Sequence, residues 1–80
     1  MQDVEIQYFA LLREQAGRSG ERVTTAASTA ADLYDELRLR YGFTLPLALL
    51  RVAVNDEFCA WTTRLRTGDR VVFIPPVAGG

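Results

Sequence analysis

Arg70-Val71-Val72-Phe73-Ile74, followed at once by Pro75-Pro76, is the stretch from which the rest of the chain can be placed. The run is apolar through nearly its whole length. That pattern suits a central strand covered on both faces, because a half-exposed strand alternates apolar and polar residues. The two prolines fix φ and carry no backbone donor, so the ladder must stop after Ile74 and the chain must leave the sheet extended. Val77, Ala78, Gly79 and Gly80 come next and end the sequence. No side chain crowds the last two carbonyls, and glycine adopts backbone conformations closed to other residues. A segment of this kind can thread a narrow channel and offer its last carbon to an attacking group.

The strands that flank this run are found earlier in the chain. Val4-Glu5-Ile6-Gln7-Tyr8-Phe9 alternates before ending in two aromatics, which predicts a half-buried strand with Val4, Ile6 and Tyr8 on one face. Ala10 to Ala16 predicts a short helical turn stopped by Gly17 and the Arg18-Ser19-Gly20 cluster. Glu21 to Thr25 reads as a second strand, close enough to the first for antiparallel pairing. Ser28-Thr29 can cap a helix whose apolar stripe is Ala30, Leu33, Tyr34, Leu37 and Tyr41. Asp32, Asp35 and Glu36 lie early in it and Arg38 and Arg40 late, as the helix dipole favours, and Gly42 ends it. Phe43 to Leu50, interrupted by Pro46, reads as a loop with at most one helical turn. Arg51 to Val54 predicts a strand, Asn55-Asp56 a turn, Glu57 to Trp61 a short edge strand, and Leu65 to Asp69 another turn.

The order is strand, strand, helix, strand, short strand, strand. A helix between two hairpin-like halves implies a right-handed crossover, which puts the first and last strands side by side and parallel at the centre. The expected architecture is α+β: a β-grasp of the kind seen in ubiquitin. It has a mixed sheet of about five strands and one main helix packed on one face. Residues 1–74 would form the domain and 75–80 an extended, flexible tail.

Composition narrows the function. With 80 residues there is room for one small core, burying about 60–65% of the surface that the unfolded chain exposes. A net charge of −1 argues against a nucleic-acid partner, which normally selects a basic patch. No apolar run approaches the roughly 18 residues of a membrane span, and no basic-then-apolar leader follows Met1, so a cytoplasmic protein is expected. Cys59 is the single cysteine and histidine is absent. Without a base or cation to hold a thiolate, Cys59 reads as a small core residue rather than a nucleophile. All nine basic residues are arginine. The only primary amine is then the N-terminus, and the chain cannot be joined to a lysine of its own kind. No metal-ligand pattern is present.

Three stretches together resemble the MoaD family, the small subunit of molybdopterin synthase. They are Tyr8-Phe9-Ala10-Leu11-Leu12-Arg13-Glu14, Leu65-Arg66-Thr67-Gly68-Asp69, and Phe73-Ile74-Pro75-Pro76-Val77-Ala78-Gly79-Gly80. Ala53-Val54-Asn55 before the short strand is also typical of that family. The resemblance implies a sulfur carrier that is not an enzyme on its own and binds no cofactor. In the family the terminal carboxylate, here that of Gly80, is adenylated by a MoeB-like enzyme that consumes ATP. A sulfur donor such as a cysteine desulfurase or rhodanese-like protein then supplies sulfur, giving a thiocarboxylate. The tail, here Pro75, Pro76, Val77, Ala78 and Gly79, enters the active site of the large, MoaE-like catalytic subunit. There sulfur passes to cyclic pyranopterin monophosphate for molybdenum cofactor biosynthesis. By the same resemblance Phe9, Phe58 and Ile74 line the partner-binding face, with Arg13 and Arg66 as rim contacts. Ala78 departs from the threonine common at its position.

Three alternatives remain open on the residues. One is a ThiS-type carrier serving thiazole synthesis. Another is a ubiquitin-like modifier joined through Gly80 to lysines of target proteins. The third is a pure interaction module whose Gly-Gly end is incidental.

Overall fold

Alternation in the first strand organises the molecule. The computed structural model describes residues 1–76. In it β1 (Gln2–Gln7) turns Val4 and Ile6 inward, with Tyr8 following them, while Asp3, Glu5 and Gln7 face out. Then come α1 (Ala10–Ala16), β2 (Gly20–Thr25), α2 (Ala30–Tyr41), a 3-10 turn (Leu47–Leu49), β3 (Arg51–Val54), β4 (Glu57–Cys59) and β5 (Arg70–Ile74). The sheet order is β2-β1-β5-β3-β4. β1 and β5 are parallel neighbours at its centre, and every other pairing is antiparallel. This is the β-grasp arrangement expected from the element order.

The main helix begins where its cap predicts. The Asp32 amide donates to Thr29 Oγ1 at 3.2 Å. The first two helical amides are satisfied by the loop after β4: Ala30 N–H donates to the Thr63 carbonyl and Ala31 N–H to that of Trp61. Those bonds explain why β4 ends at Cys59 rather than reaching Trp61: the following backbone is committed to the helix. Gly42 ends α2 at φ 72°, a left-handed conformation that glycine adopts without steric cost. Ala30, Leu33, Tyr34 and Leu37 are buried against Val4, Ile6, Val52, Val71 and Phe73 of the sheet, and α1 adds Leu12 to the same cluster. Phe43, Leu50 and Leu65 complete it from connections where no periodicity announces them. Tyr34 meets Phe73 edge-on at 5.2 Å, and Trp61 stacks on Phe73 at 6.0 Å.

Tyr41, expected on the buried stripe, is only half-buried, because its hydroxyl reaches Glu21 at the sheet edge. Glu21 also accepts a hydrogen bond from Tyr8 Oη at 2.6 Å. Burial alone would raise the Glu21 carboxyl. The Tyr41 and Tyr8 hydroxyls, with Arg18 and Arg40 nearby, outweigh it and hold the group below the usual carboxylate range. Burial, and then the bond to Glu21, push both tyrosines upward.

Stability should therefore fall at both ends of the pH scale. The Glu21 contribution is present above its unfolded value and is lost as pH drops through the lower folded one. The tyrosine contribution is present below their ordinary pKa of about 10 and is lost as pH rises above it. Glu21→Gln should cost about 1–3 kcal/mol at neutral pH and flatten the acid limb. Urea melts across pH would check this, and an unchanged acid limb in the variant would refute the assignment.

Candidate functional site

Because α1 and α2 share one core, every second residue of each strand must face away from them. On that open face the register makes a continuous row across four strands: Gln7 beside Val72, Val72 beside Ala53, and Ala53 beside Phe58. One step further along, Ile74 pairs with Arg51. The register that sets Gln7 beside Val72 brings Phe9 level with Ile74. Phe9 keeps the alternation, since its backbone is extended (φ −129°, ψ 153°) and Tyr8 is buried. Ala10 then takes φ 52°, a left-handed turn that costs an alanine about 1–2 kcal/mol and carries the chain off the sheet. Phe9 is thus the last side chain of this strand on the open face.

The face is polarised along its strands. At the end where β5 begins, Glu5 lies beside Arg70, Arg22 approaches Glu5 at 4.0 Å, and Arg70 pairs with Asp56. These charges satisfy one another. At the end where β5 finishes, Phe9, Val72, Ile74, Ala53 and Phe58 form an apolar surface. Phe9 is 44% and Phe58 59% exposed, whereas Val72 and Ile74 are half-buried. A cation is stacked on this surface: the Arg51 guanidinium lies 4.3 Å from the centre of the Phe58 ring. Such stacking is worth about 0.5–1 kcal/mol at an exposed site. A contiguous apolar patch with a polar border on a small domain is the kind of surface that interaction sites use.

The hairpin geometry that aims Phe58 outward follows from its turn. Asn55 and Asp56 both have positive φ, 53° and 71°, as a two-residue type I′ turn requires. Asn55 also ties the hairpin to β5: its amide donates to the Arg70 carbonyl, and Arg70 N–H donates to Asn55 Oδ1 at 2.9 Å. Among the described residues no cluster of three or more histidine, cysteine, aspartate or glutamate side chains is placed to hold a metal ion. Nor is any helix long and apolar enough to cross a membrane.

The profile of the ThiS family matches residues 6–80. The chain belongs to the ThiS family. It is 35% identical over 83 residues to the molybdopterin synthase sulfur carrier subunit of Anopheles gambiae, covering 96% of this chain and 91% of that one. Its structure is similar to that of small archaeal modifier protein 1 of Haloferax volcanii, with a TM-score of 0.81 at 26% identity over 96% of this chain and 100% of that one. It is also similar to a chain of the complex of subunits 1 and 2 of molybdopterin-converting factor from Helicobacter pylori. There the TM-score is 0.70 and the identity 25%, over 99% of this chain and 100% of that one.

In this ThiS-family chain the structure brings Phe9, Phe58 and Ile74 to one end of one face. Arg13 lies on α1, one helical turn past Phe9, and is exposed at the same end. Arg66 sits in the turn before β5, beside Asp69, at the opposite end of the strand. Pro75 is half-buried and Pro76 exposed. The expectations for Val77, Ala78, Gly79 and Gly80 lie outside the described residues. Cys59 is half-buried on the helix side of the sheet, as a small core residue would be.

One expectation needs correction. β5 is not covered on both faces: Val71 and Phe73 are buried under α2, while Val72 and Ile74 look out from the other side. Three members of the patch, Val72, Ala53 and Arg51, were not anticipated. The two-residue Asn55-Asp56 turn was the signal for two of them. It sets Ala53 opposite Phe58 by counting outward, and alternation then puts Arg51 on the same face.

The two phenylalanines on opposite faces should respond oppositely to truncation. Phe73→Ala, in the core, should cost about 3–5 kcal/mol, whereas Phe58→Ala should cost under about 1 kcal/mol. Chemical denaturation measures both, and a large loss at Phe58 would move that ring from the surface to the core.

Proposed function

We propose that this chain carries sulfur on its last backbone carbon for molybdopterin synthase. The observation that supports this most is the coincidence of two features on β5: Ile74 ends the apolar patch, and Pro75-Pro76 leave from the same residue toward Gly79-Gly80. A partner that covers the patch receives whatever follows Ile74. The relative from Anopheles gambiae is named as the sulfur carrier subunit of that enzyme.

The chemistry needs little from the chain itself. An α-carboxylate, with an ordinary pKa near about 3.5, is ionised at neutral pH and is a poor acyl donor. In the proposed sequence a Gly80 carboxylate oxygen attacks the α-phosphorus of ATP, the bond to the β-phosphate oxygen breaks, and pyrophosphate leaves. The outer sulfur of a persulfide on a donor protein then attacks the Gly80 carbonyl carbon, and AMP departs with the C–O electron pair. A thiol cleaves the S–S bond of the resulting acyl disulfide, itself ending in a disulfide with the donor sulfur. The resulting thiocarboxylate is a nucleophilic sulfur on a tether, whose local concentration at the partner's site far exceeds that of free sulfide. In the large subunit its sulfur bonds to a carbon of the pterin precursor as an oxygen substituent leaves. Water then cleaves the acyl–sulfur bond, leaving the sulfur on the precursor and returning Gly80 to the carboxylate. Acid–base work falls to the partners, in keeping with the absence of histidine in this sequence.

The likeness to small archaeal modifier protein 1 supports a second reading, in which the same activated Gly80 is passed to a lysine of another protein. A ThiS-type carrier for thiazole synthesis shares the activation step as well. One experiment separates carrier from modifier. The protein, incubated with its activating enzyme, ATP and a sulfur source, should gain the mass of one sulfur-for-oxygen exchange. Ladders of larger lysine-linked conjugates would favour the modifier. Deleting Gly80 should abolish the exchange and leave the melting curve unchanged. Ile74→Asp should weaken binding to a large synthase subunit by at least about tenfold, through burial of a charge in an apolar interface, with a much smaller effect on folding. Calorimetric titration against that subunit gives the affinity, and undiminished binding would remove the patch from the interface.

A further inference from the structure

The basic residues of this chain are all arginine, nine of them, and not one is lysine. Both side chains supply positive charge, but they differ toward an acyl donor. A lysine amine that sheds its proton is a nucleophile. The guanidinium, with a pKa above about 12, keeps its proton and does not attack. On a protein whose working group is an activated carbonyl carbon, that difference decides whether the domain can trap its own end.

The geometry gives the difference a location. Arg51 is the cross-strand partner of Ile74, the last residue of β5, so a cation stands one strand away from the point where the chain departs. It makes no ion pair among the described residues and leans over Phe58 instead. The six residues 75–80 span at most about 20–22 Å, whatever path they take. That contour brings an amine at position 51 well within range. The Met1 amine is not: Ile74 is level with Phe9, and eight residues back along β1 is about 26 Å. The parallel pairing of β1 with β5 therefore keeps Met1 beyond the longest reach of the tail.

We propose that Arg51 is a non-nucleophilic cation at the exit of the chain, whose identity as arginine protects the activated Gly80 acyl group from capture by its own domain. This rests on the carrier reading above. The capture it prevents is written simply. An amine nitrogen attacks the Gly80 carbonyl carbon, a C–N amide bond forms, and the C–O bond to AMP (or the C–S bond of a thioester) breaks. The leaving group departs with its electron pair and the ammonium proton passes to water. The product is a closed amide ring that can no longer carry sulfur. A short tether gives the attacking amine an effective concentration of order millimolar, enough to compete with a slowly arriving partner.

The test does not need the activating enzyme, so its failure is distinct from failure of the carrier reading. The chain is released from an intein fusion as the 2-mercaptoethanesulfonate thioester of Gly80, in wild-type, Arg51→Lys and Arg66→Lys forms. All are held dilute at mildly alkaline pH. Ring closure appears by mass spectrometry as a species one water lighter than the hydrolysed acid, and peptide mapping locates the crosslink. Arg51→Lys should close at least about tenfold faster than wild type, with residue 51 joined to Gly80. Arg66→Lys, at the far end of β5 and close to the limit of the tail's reach, should close at least about tenfold more slowly than Arg51→Lys. If Arg51→Lys loses its cooperative melt, Arg13→Lys takes its place, one helical turn past Phe9. Closure of the wild type through Met1, or equal rates for the exit-end and far-end lysines, would overturn the proposal and leave the arginine-only composition without chemical meaning.

Discussion

Everything in this molecule follows from the parallel pairing of β1 with β5 under a single-sided helical cover. Strand alternation is strict, so Val4 and Ile6 can be buried beneath α2 only if Glu5 and Gln7 face the other way. β5 obeys the same rule: burying Val71 and Phe73 forces Val72 and Ile74 onto the open face. In β1 the outward positions are polar and the rule costs nothing. In β5 they are apolar, and among the described residues no layer packs over them. The exposed patch is thus a necessary product of placing an apolar strand at the centre of a sheet that has a helix layer on one side only.

That constraint also marks how much of the fold can be read from residues. The two-residue period of β1, the Thr29 cap, the Gly42 stop and the Asn55-Asp56 turn are local signals, each tied to backbone geometry within a few residues. All are found where the pattern puts them. The apolar run of β5 is ambiguous by nature. Four consecutive apolar residues look alike whether their second face meets another layer, a partner or solvent, because periodicity reports the character of a face and not what covers it. Glu21 illustrates the opposite difficulty. Its role depends on Tyr8 and Tyr41, distant in sequence and brought together only by sheet edge and helix end. Phe43, Leu50 and Leu65 enter the core from connections, where no period exists to reveal them. On the apolar end of the open face, Phe9, Phe58 and Ile74 came from the resemblance, whereas Arg51 and Val72 needed the pairing register.

The polarity of the open face gives the patch a definite edge. At the start of β5, Glu5, Arg22, Arg70 and Asp56 neutralise one another in solvent, where such pairs contribute little to stability but remain well hydrated. Desolvating that cluster would be costly, so a partner gains by avoiding it. At the finish of β5 the surface is apolar, and the Arg51 guanidinium on it is weakly hydrated and already stacked on a ring. A binding partner is therefore drawn to one end of the sheet by burial and kept from the other by desolvation. Specificity of position arises without any pocket.

Position is what a tethered reactive group requires. Ile74 is at once the last residue of the patch and the last residue of the central strand, and Pro75 begins where its ladder ends. No loop intervenes between the apolar patch and Pro75. A partner seated on Phe9, Ile74 and Phe58 consequently knows the starting point of the following residues to within one peptide unit. The stiffness of two consecutive prolines limits the directions in which they can set out. The entropy of finding an active site then falls on only a few residues rather than on a flexible linker. Under the proposed carrier reading, the rigid sheet fixes where the tail begins relative to a docked partner, and the chemistry is left to that partner.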